Sequence, residues 1–203
     1  MGEAEIALTR TRSLTEYQQV LGSSLEEYGR LSRLIDSLLF LARAESPETR
    51  IHHQLLDGRK ELESVREFHE AVAEEQGVDV LCQGEALVQA DPVLFPRAVS
   101  NLLSNALHYT SRGGKVVLSI QVSEEHSTVI SVHDTGVGIA PEHLPRIFDR
   151  FYRADPARSQ CRPGMGLGLA IVKSIMALHG GTVTLQSTLG QGTTVTLRFP
   201  TLT

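Results

Sequence analysis

Apolar residues recur every three or four positions from Leu14 to Ala42: Leu14, Tyr17, Leu21, Tyr28, Leu31, Ile35, Leu38 and Ala42, with Ser24 interrupting the row. Positions spaced in this way share one face of an α-helix, and alternating steps of three and four make the seam of a bundle or coiled coil. Leu25, Leu34, Leu39 and Leu41 widen the stripe, which suits a helical bundle better than a two-stranded coil. Ser13 or Thr15 is positioned to cap the start, and Glu16 follows Ser13 at the spacing of a capping box. A helix of ~30 residues exceeds ordinary globular length, so it is expected to dimerise; a surface helix lying on the following domain is the alternative. Residues 3–9 read as the end of a preceding helix that turns near Arg12-Ser13.

The period changes after Ser46-Pro47-Glu48-Thr49, a helix-breaking linker. Residues 61–76 read as a helix stopped by Gly77. Residues 78–82 and 86–90 read as short strands. Asp91 as N-cap and Pro92 in the first turn predict a helix through "NLLSNALHYT". Residues 116–122 and 128–133 read as an antiparallel pair, 166–179 as a helix before Gly180-Gly181, and 182–187 with 193–199 as a hairpin around Gly190 and Gly192. Hairpins with helices between them predict an α+β fold, an antiparallel or mixed sheet with helices on one face.

With 203 residues, 41% hydrophobic and 21% charged, the chain is expected to fold as one ordinary domain plus a smaller element. A formal net charge of −5 argues against nucleic acid or an anionic membrane as partner, since both select basic surfaces. Cys82 and Cys161 form no CxxC pair, so two free thiols of a reducing compartment are expected. No apolar run approaches the ~20 residues that span a bilayer.

Three segments carry candidate chemistry. In "VHDTGVGIAP", Asp134 at a strand end precedes Gly136 and Gly138; it offers an acceptor for an exocyclic amine, or it is a plain turn residue. In "GMGLGLAIVK", Gly164, Gly166 and Gly168 lead into a helix. Backbone N–H groups at a helix start favour phosphate; the alternative is a glycine-rich loop without a ligand. No GxxxxGK[ST] phosphate loop and no strand-borne GxGxxG is present. Asn101 and Asn105 stand four apart on one face of an apolar helix. An amide oxygen there suits a hard cation such as Mg²⁺, or each amide is a satisfied buried group.

Taken in order, Asn101-Leu-Leu-Ser-Asn105, Asp134-Thr-Gly136-Val-Gly138, Phe148-Asp-Arg-Phe151-Tyr152-Arg153, Gly164-Met-Gly166-Leu167-Gly168-Leu and Gly190-Gln-Gly192-Thr193 resemble the ATP-binding domain of bacterial sensor histidine kinases. The phrases "EIALTRTRS", "SLLFLARAE" and "APEHLPRIFDRFYRADPARS" look most like the membrane-bound heavy-metal (copper/silver) sensor subgroup. The resemblance implies a two-layer α/β sandwich, a mixed sheet of about five strands under three helices, preceded by a helical-hairpin remnant of a dimerisation bundle. It divides the chain into residues 1–45, a truncated dimerisation and phosphoacceptor region, 46–50, a linker, and 51–203, the ATP-binding catalytic domain.

The same resemblance assigns roles. Asn105 matches the Mg²⁺ ligand and Asn101 the second polar group beside it, the two on which catalysis would turn. Asp134 matches the acid that binds the adenine amine, with Gly136 and Gly138 letting the ring lie close. Gly164, Gly166 and Gly168, with Leu167 between them, match the phosphate side. Tyr109 matches an aromatic of the base pocket, and Thr193 lies on the adenine side. Phe148, Phe151 and Tyr152 would anchor a lid at 149–164, from which Arg153, Arg158 and Arg162 reach phosphate or stay solvated. His108 stands where the family has Lys or Arg.

None of the eight histidines has the acceptor setting, His-acid-x-Arg/Lys-Thr-Pro, that the family requires. The chain alone is therefore expected to bind Mg·ATP without phosphorylating itself. In the complete kinase the γ-phosphoryl passes to a histidine and then to an aspartate of a cognate response regulator. The resemblance further implies a homodimer through residues 14–45 and a cytoplasmic domain, without membrane contact of its own, of a parent in the bacterial inner membrane. A non-catalytic nucleotide-binding and dimerisation module is the alternative.

Overall fold

The computed structural model describes residues 13–46, 48–154 and 165–201. The chain divides into two compact units, residues 1–42 and 43–203.

Among the described residues the first unit holds one long helix, α1 (Leu14–Ala44), whose last residues belong to the second. Ser13 and Glu16 form a reciprocal capping box: Ser13 N–H donates to the Glu16 carboxylate at 2.8 Å, and Glu16 N–H donates to Ser13 Oγ at 3.3 Å. The predicted seam residues Leu14, Leu21, Tyr28, Leu31 and Ile35 are exposed in the single chain. The helix predicted before Arg12 lies outside the described residues.

The second unit contains β1 (Gln54–Asp57), α2 (Gly58–Phe68), α3 (Glu70–Gln76), β2 (Asp79–Gln83), β3 (Leu87–Ala90), α4 (Leu94–Tyr109), β4 (Lys115–Val122) and β5 (Thr128–Asp134). A 3-10 turn (Pro141–Arg146), α5 (Gly168–Leu178), β6 (Thr182–Thr188) and β7 (Gly192–Phe199) complete it. Five strands form a mixed sheet in the order β2-β4-β5-β7-β6, with only the β2–β4 pair parallel; β1 and β3 form a separate antiparallel pair. This is the α+β sandwich that the resemblance implied.

Three local readings differ from the pattern. β1 has only four residues and closes on β3, more than thirty residues away in sequence; nothing in so short a run marks it. The segments read as the short strands 78–82 and 86–90 are β2 and β3, and they belong to different sheets. The helix read through 61–76 is two helices broken at His69, whose ring Nε2 is bonded to Ser100 Oγ on α4 at 2.8 Å.

The core lies between the five-stranded sheet and the helices. Phe95, Ala98, Val99, Leu102, Leu103, Ala106 and Leu107 make the buried face of α4. They meet inward-facing Leu118, Ile120, Ile130, Leu197 and Phe199 of the sheet and Ile171, Ile175 and Met176 of α5. Phe95 and Phe199 pack with ring centroids 5.6 Å apart. Each fully buried Val, Leu, Ile, Phe or Met side chain here contributes ~1.5–3 kcal/mol of transfer free energy, so α4 is held by tertiary burial of one face. The opposite sheet face alternates outward with polar residues such as Ser119, Ser131, Thr196 and Thr184, which stand in one cross-strand row. Cys82 on β2 is a free thiol whose pKa burial pushes up; Cys161 lies outside the described residues. No helix among the described residues is long and apolar enough to cross a membrane.

Candidate functional site

Asn101 and Asn105 flank the buried face of α4 and are half-buried. Asn101 donates through Nδ2 to the carbonyl of Arg97 at 2.7 Å, and its amide oxygen accepts from no described residue. Both amides converge on Gly168, the first residue of α5. A methyl group on Gly168 would stand 3.4 Å from Asn101 Oδ1, 3.5 Å from Asn105 Nδ2 and 3.7 Å from Asn105 Oδ1. The N-terminus of α5 has no side-chain cap among the described residues, so its first N–H groups and the positive end of its dipole face this space.

Asp134 ends β5 and is 7% exposed. Its Oδ1 accepts from Gly136 N–H at 2.8 Å and Thr193 N–H at 3.3 Å; Oδ2 accepts from no described residue. Burial raises the carboxyl above the ordinary range, against the opposing pull of these two donors and of nearby His133. The result is a shielded acceptor with one oxygen fixed and one available.

The glycines beside Asp134 have structural reasons of their own. A Cβ on Gly136 would meet the Tyr109 carbonyl at 2.5 Å, and Gly138, with φ of 68°, passes against the Thr188 carbonyl. Val137 N–H donates to Tyr109 O at 3.2 Å, and Gly190 N–H donates to Val137 O at 2.7 Å. Ser187 Oγ accepts from Ile139 N–H and donates to Gly192 O, fastening the loop to the β6–β7 turn. Tyr109, at the end of α4, is half-exposed on the rim, with the His108 ring edge-on to it at 4.8 Å.

The segments either side of residues 155–164 meet each other. Phe151 N–H donates to Gly166 O at 2.8 Å; Phe151 has φ of 62° and Gly166 φ of 65°. Phe148 is half-buried, whereas the Phe151 side chain is exposed, so the Phe151 link is made through the backbone. Tyr152 is the better-held aromatic: its hydroxyl bonds His143 Nδ1 at 2.8 Å, and the Arg146 guanidinium lies 4.5 Å over its ring. Neither partner was marked by the sequence, because the contact needs the 3-10 turn to fold back. Leu167 is buried. Gly164, Arg158 and Arg162 lie outside the described residues.

The donor set fits a hard cation only in company. Two amide oxygens stand near Gly168, but no group of three or more His, Cys, Asp or Glu among the described residues could hold a metal. A hard cation here would have to complete its shell from a bound anion and water, as Mg²⁺ commonly does.

The chain belongs to the family of histidine kinase-, DNA gyrase B- and HSP90-like ATPases, whose model matches residues 90–203. Within that family its relatives are sensor histidine kinases, of the heavy-metal subgroup to which the sequence phrases pointed. It is 44% identical over 200 residues to the sensor protein IrlS of Burkholderia pseudomallei, covering 98% of this chain and 43% of that protein. It is 43% identical over 199 residues to the sensor histidine kinase CusS of Escherichia coli K12, covering 98% and 41%. The crystal structure of full-length ShkA in complex with AMPPNP matches with a TM-score of 0.79 and 28% identity, over 98% of this chain and 42% of that one. The chain thus spans about two-fifths of the length of these relatives.

Proposed function

We propose that this chain is the ATP-binding, phosphoryl-donating part of a two-component sensor histidine kinase, with Mg·ATP held between α4 and α5. The observation that carries the reading is the convergence of the Asn101 and Asn105 amides on Gly168 at the start of α5, which has no side-chain cap among the described residues. Triphosphate oxygens would lie against the N–H groups of 166–168. Asn105 would hold Mg²⁺ through its amide oxygen, with Asn101 beside it; the ion, when bound, neutralises phosphate charge. Asp134 Oδ2 would accept from the adenine amine, and Tyr109 would border the base. Positioning and charge neutralisation are most of what phosphoryl transfer asks of a protein.

The acceptor is a histidine outside this sequence. The eight histidines are His52, His53, His69, His108, His126, His133, His143 and His179, and none lies on α1. The exposed seam of α1 supports dimerisation through residues 14–45, and a response regulator would receive the phosphoryl group from the acceptor. A hydrolytic ATPase is less well supported, because the position that would activate water carries the amide of Asn101. Calorimetric titration of the chain with Mg·AMPPNP tests the reading: saturable binding at one site supports it, and absence of binding overturns it.

A further inference from the structure

His179, at the C-terminal end of α5, is 3% exposed and lies at the opposite end of that helix from Gly168. Its Nδ1–H donates to Ile175 O at 2.7 Å, and its Nε2 accepts from Asp91 N–H at 2.9 Å. Both ring nitrogens are therefore committed in one neutral tautomer. Asp91 is itself a junction. Its Oδ1 accepts from Val93 N–H at 2.9 Å and Leu94 N–H at 3.0 Å, and its carbonyl accepts from Phe95 N–H at 2.9 Å, which together start α4. Its Oδ2 accepts from His52 N–H at 3.0 Å, which fastens the incoming segment. The next residue, His53, makes a T-shaped ring contact with His179 at 5.5 Å, and its Nε2 is buried with no hydrogen-bond partner among the described residues. Phe199 of β7 closes the remaining side at 5.2 Å.

The two helices of the proposed nucleotide site thus approach each other at two places. At one end the Asn101 and Asn105 amides of α4 approach Gly168 of α5. At the other, about 16 Å away along an 11-residue helix, the start of α4 hangs on His179. A proton on Nε2 would set an N–H donor against the Asp91 N–H donor. The ring is held in this orientation by Ile175 O at Nδ1 and by its T-shaped contacts with Phe199 and His53. The titratable groups facing it are Asp91, whose carboxylate favours the proton, and His53, which opposes it. Burial is the largest influence and opposes protonation.

We propose that His179 is a positioning residue for nucleotide binding: as a neutral acceptor for Asp91 N–H it sets the spacing of α4 and α5, and its protonation releases that spacing and lowers affinity for Mg·nucleotide. The inference rests on the nucleotide site proposed above.

The test is the affinity of the 203-residue chain for Mg·AMPPNP from about pH 8 down to about pH 4.5, a range extended below ordinary histidine titration because burial lowers the pKa of the His179 ring, beside the His179→Gln variant. Glutamine offers an amide oxygen to Asp91 N–H and cannot titrate. Protonation of the nucleotide affects both proteins alike, so the ratio of affinities isolates the ring. The ratio of wild type to variant is expected to fall about tenfold toward acid, the scale of one lost buried hydrogen bond. A constant ratio overturns the inference.

A second measurement needs no variant: ring nitrogen resonances of His179 in the wild-type chain. Nε2 is expected to read as an unprotonated acceptor at the alkaline end, with a midpoint that moves to lower pH when Mg·AMPPNP saturates the site, as linkage requires. A protonated Nε2 there, or a midpoint indifferent to nucleotide, overturns the inference. Failure of the wild type to bind Mg·AMPPNP at about pH 8 overturns the nucleotide site itself and this inference with it; binding there with a pH-independent ratio overturns the inference alone.

Discussion

Asn101 Oδ1 would stand 3.4 Å from a methyl group on Gly168, and the backbone of Gly168 is ordinary right-handed helix, not the left-handed conformation that glycine alone tolerates. The methyl would fit as a normal van der Waals contact while occupying the space between the amides and the helix start. Gly168→Ala is therefore expected to hold or raise stability, by up to ~0.5–1 kcal/mol from the entropy glycine loses in a helix. It is also expected to lose Mg·ATP affinity. Denaturant unfolding and calorimetry on one preparation separate the two effects; parallel loss of stability and binding would contradict this account.

Asn105→Ala is expected to leave the fold intact, because the amide lies at the edge of the buried face of α4 and not within it. Removing a ligand to a charged group costs ~1.5–3 kcal/mol, or roughly ten- to hundredfold in Mg·ATP affinity. Unchanged affinity in a folded variant would remove Asn105 from the metal site.

Asp134→Asn keeps an oxygen for Gly136 and Thr193 N–H but can set an amide donor where the free carboxylate oxygen stood. Adenine affinity, and selectivity over guanine, are expected to fall. Stability responds in the other direction. Burial raises the folded carboxyl above its unfolded value of ~3.9. Ionisation therefore opposes folding, and wild type should lose stability relative to the variant as pH rises from that value through the folded one. Thermal melts of both proteins across the acid range check the sign; a wild type that gains on the variant as pH rises would refute it.

The α1 seam should make the chain dimeric. Leu31→Glu places a charge on that seam, where Leu31 is 46% exposed in the single chain. The variant is expected to sediment as a monomer and still bind Mg·ATP. A wild-type chain that is already monomeric at high concentration would rule out the seam as an interface.

Incubation with γ-labelled ATP should leave all eight histidines unlabelled, since none carries the acceptor context and none lies on α1. Supplying a separate helix with an acceptor histidine should restore transfer, because a bundle would bring imidazole and γ-phosphate within reach. Stoichiometric phosphohistidine on the chain alone would show that one of the eight is an acceptor.

What the sequence determined by itself was local. The spacing from Leu14 to Ala42, the Ser13–Glu16 box and the Asp91 cap are contacts within a few residues, so their geometry follows from the helix repeat alone. The family resemblance was legible for a related reason: the glycines sit where backbone crosses backbone, as at Gly138 against Thr188, and no other residue meets that demand. Tertiary structure decided the rest. β1 finds β3 across more than thirty residues, α2 and α3 part at His69 to reach Ser100, and Tyr152 is held by a turn that folds back on it. The Asp91–His179 bond joins residues 88 apart. Such partners are chosen by which faces the buried core brings together, and that choice is made by the whole set of packed side chains, not by any window of sequence.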